Sequence, residues 1–267
     1  NATYTLHLVP PDLPAYTVTA QSPSPGYVYI TPFSFTQKLP TFLMITSAVG
    51  DLLFYQRVPS SGLDFKKHAL PGGKVRYTYI EGGAVHVLDE RFRPLADLRL
   101  SATAAHGVLD CDAHDVILLS DDHYVLIAYA DRVVQNVTAP IPVAAGGARV
   151  LAAVIQEVSA GAVVFEWSST DFPELYGLST EGNDFSTTAN AADYAHLNSV
   201  EIDPVDGDFV ASFRHLDAVL KISRADGSIV WRLGGPSDSF GTPVAERTSH
   251  QHFARTLPDG RLQIFNN

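Results

Sequence analysis

The sequence predicts an all-β fold, and two observations predict it. Short runs rich in β-branched and aromatic residues alternate with tight-turn residues, while long 3.6-residue periodicity is nearly absent. In addition, one pattern recurs along the chain: a histidine, a short strand, an acidic or Asp-Gly turn, and a returning apolar strand.

The strands follow in order as Tyr27–Ile30, Thr41–Ile45, Asp51–Tyr55, Val75–Ile80, Val116–Leu119, Tyr124–Tyr129, Val163–Trp167 and Phe209–Phe213. Turn chemistry separates them at Val49-Gly50-Asp51, Pro71-Gly72-Gly73, Asp121-Asp122, Asp206-Gly207, Asp226-Gly227 and Asp259-Gly260. The recurring pattern starts at His114, His196 and His252, with a fourth copy, its histidine shifted to His68, over 65–79. Between His196 and Gly234 the pattern holds four strands, the size of one propeller blade. The blades are expected at 27–57, 63–100, 114–170 and 196–234, with a fifth beginning at His252, all in one domain over 1–267.

Composition narrows the function. The 267 residues are 46% hydrophobic and 18% charged, as in a globular protein with a core. A net charge of −11 repels phosphate backbones and anionic lipid, so no nucleic-acid partner is expected. No apolar run is long enough to span a bilayer. Cys111 stands alone between Asp110 and Asp112, which disfavour its thiolate, so it reads as structural, with no disulfide and no multi-cysteine metal site. The sequons Asn1-Ala2-Thr3 and Asn136-Val137-Thr138, with an N-terminus other than Met, fit a secreted or extracytoplasmic chain, and a glycoprotein.

In a propeller the first strand of each blade lines the central channel. Residues in one register therefore meet around the axis, and His114, His196 and His252 are expected to converge although far apart in sequence. Strand period two puts Asn198 on the face of His196, and His250 on that of His252, so both are expected to bind substrate in the pocket. His7, His68, His86, His106, His123 and His215 lack this context and read as surface or packing residues; Trp167 and Trp231 read as packing between blades.

The runs Asp193-Tyr-Ala-His-Leu-Asn-Ser199, Ser212-Phe-Arg-His215, Trp231-Arg-Leu-Gly-Gly235 and Gln251-His252, with Ala113-His-Asp115 and Phe165-Glu-Trp167, resemble the arylsulfotransferase family. The likeness is closest to a secreted branch found in fungi and actinobacteria, and runs from about residue 110 to the end. The resemblance implies a six-bladed propeller, of which this chain supplies about four and a half blades. It implies transfer of a sulfuryl group from an aryl sulfate to a phenol through a sulfohistidine, with no cofactor and no metal. By motif, His252 resembles the nucleophile, His114 and His196 the other channel histidines, and Arg214 the arginine of the Ser-x-Arg-His motif. Neutral imidazole can carry and release a sulfuryl group, and a guanidinium stabilises its oxygens.

One departure bears on this. The family usually places an acid after the nucleophilic histidine; here Phe253 stands there, while the other two copies carry Asp115 and Leu197. That side chain is expected to point into the packing between blades. The ending Asn266-Asn267 also replaces the usual Asp-Asn-Gly. Two other readings stay open: a recruited cyclase or lyase acting on a phenolic or polyketide-like molecule without sulfuryl transfer, and an inactive ligand-binding propeller. In each case the partner is an aromatic small molecule. Because an open propeller exposes strand edges, a companion fragment completing it is also expected.

Overall fold

The computed structural model describes residues 9–267 apart from 20, 35, 37, 61 and 139. The sequon at Asn1 and the histidine at position 7 lie outside the described residues. The fold is 45% strand and 7% helix, the helix among the described residues being short 3-10 turns. No helix among the described residues is long and apolar enough to cross a membrane.

Among the described residues, five antiparallel sheets follow one another along the chain. The first contains β1 (Tyr27–Ile30), β2 (Phe42–Ser47) and β3 (Leu52–Arg57). The second contains β4 (Leu63–Leu70), β5 (Lys74–Glu81), β6 (Ala84–Leu88) and β7 (Pro94–Leu98). The third contains β8 (Cys111–Leu118), β9 (His123–Val134), β10 (Ala148–Ser159) and β11 (Ala162–Ser168). The fourth contains β12 (Leu197–Ile202), β13 (Phe209–Phe213), β14 (Ala218–Ile222) and β15 (Ile229–Gly234). The fifth contains β16 (His252–Thr256) and β17 (Leu262–Phe265). Each is a meander of neighbouring strands, which local tight turns favour.

The three four-stranded sheets are consistent with propeller blades and fall close to the segments the sequence predicts. Strands β9 and β10 exceed expectation. Asp131 and Arg149 look like loop residues but pair across the two strands at 2.5 Å. The first strands of successive sheets touch in series, β4 with β8, β8 with β12, and β12 with β16.

The sheets pack face to face through apolar side chains. The largest core joins the third and fourth sheets through Ile127, Ile155, Trp167, Phe209, Phe213 and Leu220. Trp167 stacks on Phe172 and packs on Phe213 of the next sheet, as a packing residue should. Trp231 lies on the other face of the fourth sheet, against Phe240 and a small cluster shared with β17. Cys111 is buried, and burial pushes its thiol up to about 11, which leaves it inert.

Charged side chains join the inner strands. Asp115 on β8 is buried and accepts from Lys66 Nζ of β4 (2.5 Å), Arg255 Nη2 of β16 (2.8 Å) and the Val200 N–H of β12 (2.9 Å). One carboxylate thus binds four sheets. Burial alone would raise it, but Lys66 and Arg255 outweigh that and hold Asp115 below the usual carboxylate range. Asp64 shares Lys66 without the other donors, and burial pushes its carboxyl up to about 7.

Candidate functional site

His114, His196 and His252 come together at one end of the inner strands. The rings of His114 and His196 lie 5.5 Å apart and those of His114 and His252 5.8 Å apart. His114 belongs to β8, His196 immediately precedes β12, and His252 opens β16. Register carries each imidazole to the same end of its sheet.

Each ring is oriented differently. Asp112 Oδ1 accepts from His114 Nδ1 at 2.6 Å. Burial disfavours the imidazolium there, but Asp112 outweighs it and raises His114 above its ordinary value. Asp193 Oδ2 pairs with His196 Nδ1 at 2.6 Å. His252 Nδ1 faces the carbonyl oxygen of His250 at 2.9 Å and the Asn267 side-chain amide at 3.2 Å; the nearer carbonyl favours the tautomer with the Nε2 lone pair free. Burial, with the charges of His114, His196 and Arg214, holds His252 below the ordinary imidazole value. The site thus holds one imidazole disposed to stay neutral and one disposed to carry a proton.

Arg214 lies on the 3-10 turn Arg214–Leu216 after β13. Its Nη1 donates to Glu181 Oε1 at 3.0 Å. The same oxygen pairs with His250 Nε2 at 2.7 Å, so His250 sits at the rim of the cluster. The turn is packed closely: a Cβ on Gly234 would lie 2.7 Å from the Asp217 carbonyl oxygen, and one on Gly235 2.3 Å from that of Leu216. Only glycine lets the end of β15 come this close.

Several motif residues hold the sheets together. Asn198 is buried, and its Nδ2 donates to the Gln251 carbonyl at 2.8 Å, while its Oδ1 has no partner. Gln251 is fully buried and its amide donates to Ser212 Oγ, Phe213 O and Ala218 O. Ser199 Oγ accepts from the Ala254 N–H at 3.1 Å. These bonds fasten β16, and with it His252, to the fourth sheet.

Four residues of the cluster were not singled out from the sequence. Asp112 and Asp193 orient histidines, and their offsets of two and three residues were the available signal. Glu181 lies on a long irregular loop that no periodicity places. His215, expected as a surface or packing residue, is instead 4.5 Å ring to ring from His196, because the 3-10 turn folds it back. Phe253 also departs from expectation. It is 53% exposed rather than packed between sheets, at φ 54°, with the Arg255 guanidinium 4.1 Å above its ring.

A family model for arylsulfotransferase (ASST) matches residues 74–267. The chain belongs to the arylsulfotransferase family. The match begins at β5, earlier than the motifs reach, and takes in every histidine of the cluster. No curated protein matches the chain. Among solved structures, a protein of unknown function from Bacteroides caccae is 11% identical at a TM-score of 0.40, covering 90% of this chain and 65% of its own. The chain therefore spans just under two thirds of that protein's length. A catalytically inactive virginiamycin B lyase from Staphylococcus aureus, solved with quinupristin, is 10% identical at a TM-score of 0.37, covering 90% of this chain and 88% of its own.

Proposed function

We propose that this arylsulfotransferase-family chain moves a sulfuryl group between phenols, using His252 as nucleophile in the channel of a six-bladed propeller. The observation that supports this is the meeting of three imidazoles from three sheets beside Arg214. The Nε2 lone pair of His252 attacks sulfur, the aryl C–O–S bridge breaks at the O–S bond, and the leaving phenolate takes a proton from His114. An acceptor phenol then attacks sulfur, the N–S bond breaks, and its proton returns to His114. Arg214 and the N–H of His196 stabilise the sulfuryl oxygens. The His250 carbonyl supplies the orienting role that Phe253 lacks the charge to perform.

The test is incubation with 4-nitrophenyl sulfate and a phenol. Nitrophenolate release, with a sulfuryl mass gain on His252, supports the reading. Intact donor with retained aromatic ligand refutes it, and favours the cyclase, lyase or binding alternatives.

We also propose that the family branch is the secreted one, and that further strands, from a companion fragment or continuing chain, complete the fifth sheet. Among the described residues the fifth sheet has two strands where three others have four, and Phe265 on it is exposed, which supports the second point. The Asn136 side chain donates to Thr170 O and accepts from Tyr176 Oη, so a glycan there would cost both bonds.

A further inference from the structure

We infer that Asp193, His196 and His215 form a binding site for a divalent transition-metal ion such as Zn²⁺. Their donor atoms all lie within 4.8 Å of one another. Asp193 Oδ2 is 2.6 Å from His196 Nδ1 and 3.7 Å from His215 Nδ1. Tetrahedral zinc with bonds of about 2.0–2.2 Å needs donors roughly 3.4 Å apart, a spacing between the two seen from this carboxylate.

Two imidazoles and one carboxylate form a borderline donor set that suits Zn²⁺ over Mg²⁺ or Ca²⁺. An independent observation points to a ligand. Asp193 Oδ1 is buried and has no hydrogen-bond partner, although buried carboxylate oxygens are nearly always satisfied. A cation held by this carboxylate would satisfy it.

The backbone beneath the three side chains is fixed. Tyr194 is buried with its hydroxyl 2.6 Å from Ser169 Oγ. The Ala192 N–H donates to Arg149 O, and the His215 N–H to Ala195 O. His196 itself sits at φ 52°, which turns its ring towards Asp193. His215 Nδ1 also bonds the Asp193 carbonyl, and binding gives up that bond: the ring proton moves to Nε2 and the ring turns its Nδ1 off the carbonyl towards the metal. With metal on its Nδ1, His196 keeps an N–H at Nε2, its ring 5.5 Å from that of His114.

The test needs no substrate and stands apart from the sulfuryl reading. The whole chain is stripped with chelator and titrated with ZnCl₂ by calorimetry. One ion per chain is expected, with a Kd in the micromolar range or tighter. Asp193→Asn and His215→Ala are each expected to weaken binding at least tenfold, while His252→Ala leaves it unchanged. Imidazole ¹⁵N shifts of the wild-type protein decide the matter if a variant fails to fold. Zinc-dependent shifts at His196 and His215 support the site. No binding at about 100 µM, affinity unchanged in folded variants, or shifts confined to His114 and His252 would overturn it.

Discussion

Replacing Asp115 by Asn removes the charge that joins four sheets, and its cost can be worked from the contacts. Two charge-assisted hydrogen bonds are lost, from Lys66 and Arg255, each contributing about 1.5–3 kcal/mol. The side chains of Lys66 and Arg255 keep 25% and 20% of their surface in water, and Lys66 retains Asp64, so the lower end applies. In either place the new amide nitrogen meets a cation and a backbone N–H: Lys66 and Val116 if it replaces Oδ1, Arg255 and Val200 if it replaces Oδ2. We expect a loss of about 3 kcal/mol, or roughly 6–12 °C in Tm for a chain of this length. Thermal and urea unfolding at pH 7 measure it. Asp206→Asn is the control: Asp206 is 46% exposed and its partner Lys221 retains Asp203, so about 0.5 kcal/mol or less is expected. Because the folded carboxyl titrates below its unfolded value, the difference is full above about pH 4 and shrinks as acid protonates the folded state. A cost under about 1 kcal/mol, or equal costs for the two variants, would refute the reasoning.

Asp64 has the opposite sign. Its folded pKa is raised, so its contribution is present below about pH 4 and lost as pH rises through 7; Asp64→Asn should gain on the order of 2 kcal/mol over wild type between pH 4 and 8, read by unfolding at each pH. If His252 is the nucleophile and His114 the acid, the pH profile of kcat/KM is a bell, its acid limb below about pH 6.5 and its alkaline limb above it; an acid limb above about pH 7 would exclude this assignment. Glu181→Gln lifts a negative charge from Arg214 while keeping a hydrogen-bond acceptor, and should lower KM for an aryl sulfate about threefold to fivefold; a raised KM would count against Arg214 as the anion contact. Gln251→Ala leaves the Phe213 and Ala218 carbonyls without this buried donor and should cost about 2 kcal/mol or more by denaturant midpoint, with slower turnover as His252 loses its anchor.

The sheets were legible because each is local. A hairpin advertises itself by two apolar runs and a turn, and the fold of 197–234 follows from the residues within it. The extension of β9 and β10 was not, since the ion pair of Asp131 with Arg149 is a property of two strands together. The same division runs through the site. Three histidines in one register could be read as neighbours, because register is a property of each strand. What each ring faces could not. Glu181 arrives on an irregular loop, His215 is turned back by a 3-10 turn, and Phe253 stands out where packing was expected. Motif glycines and amides carry the resemblance in the sequence. Gly234, Gly235, Asn198 and Gln251 turn out to hold the backbone that carries it.

His196, His250 and Phe253 all have left-handed backbone, at φ 52°, 52° and 54°. An L-residue gives up about 1 kcal/mol in this conformation, so the chain surrenders stability where its imidazoles meet. Glycine at position 253 should therefore yield a sturdier molecule, and a valine there a weaker one. Selection for robustness alone would erode this end of the molecule first, and persistence of the three kinks across descendants would be the record of a demand other than folding.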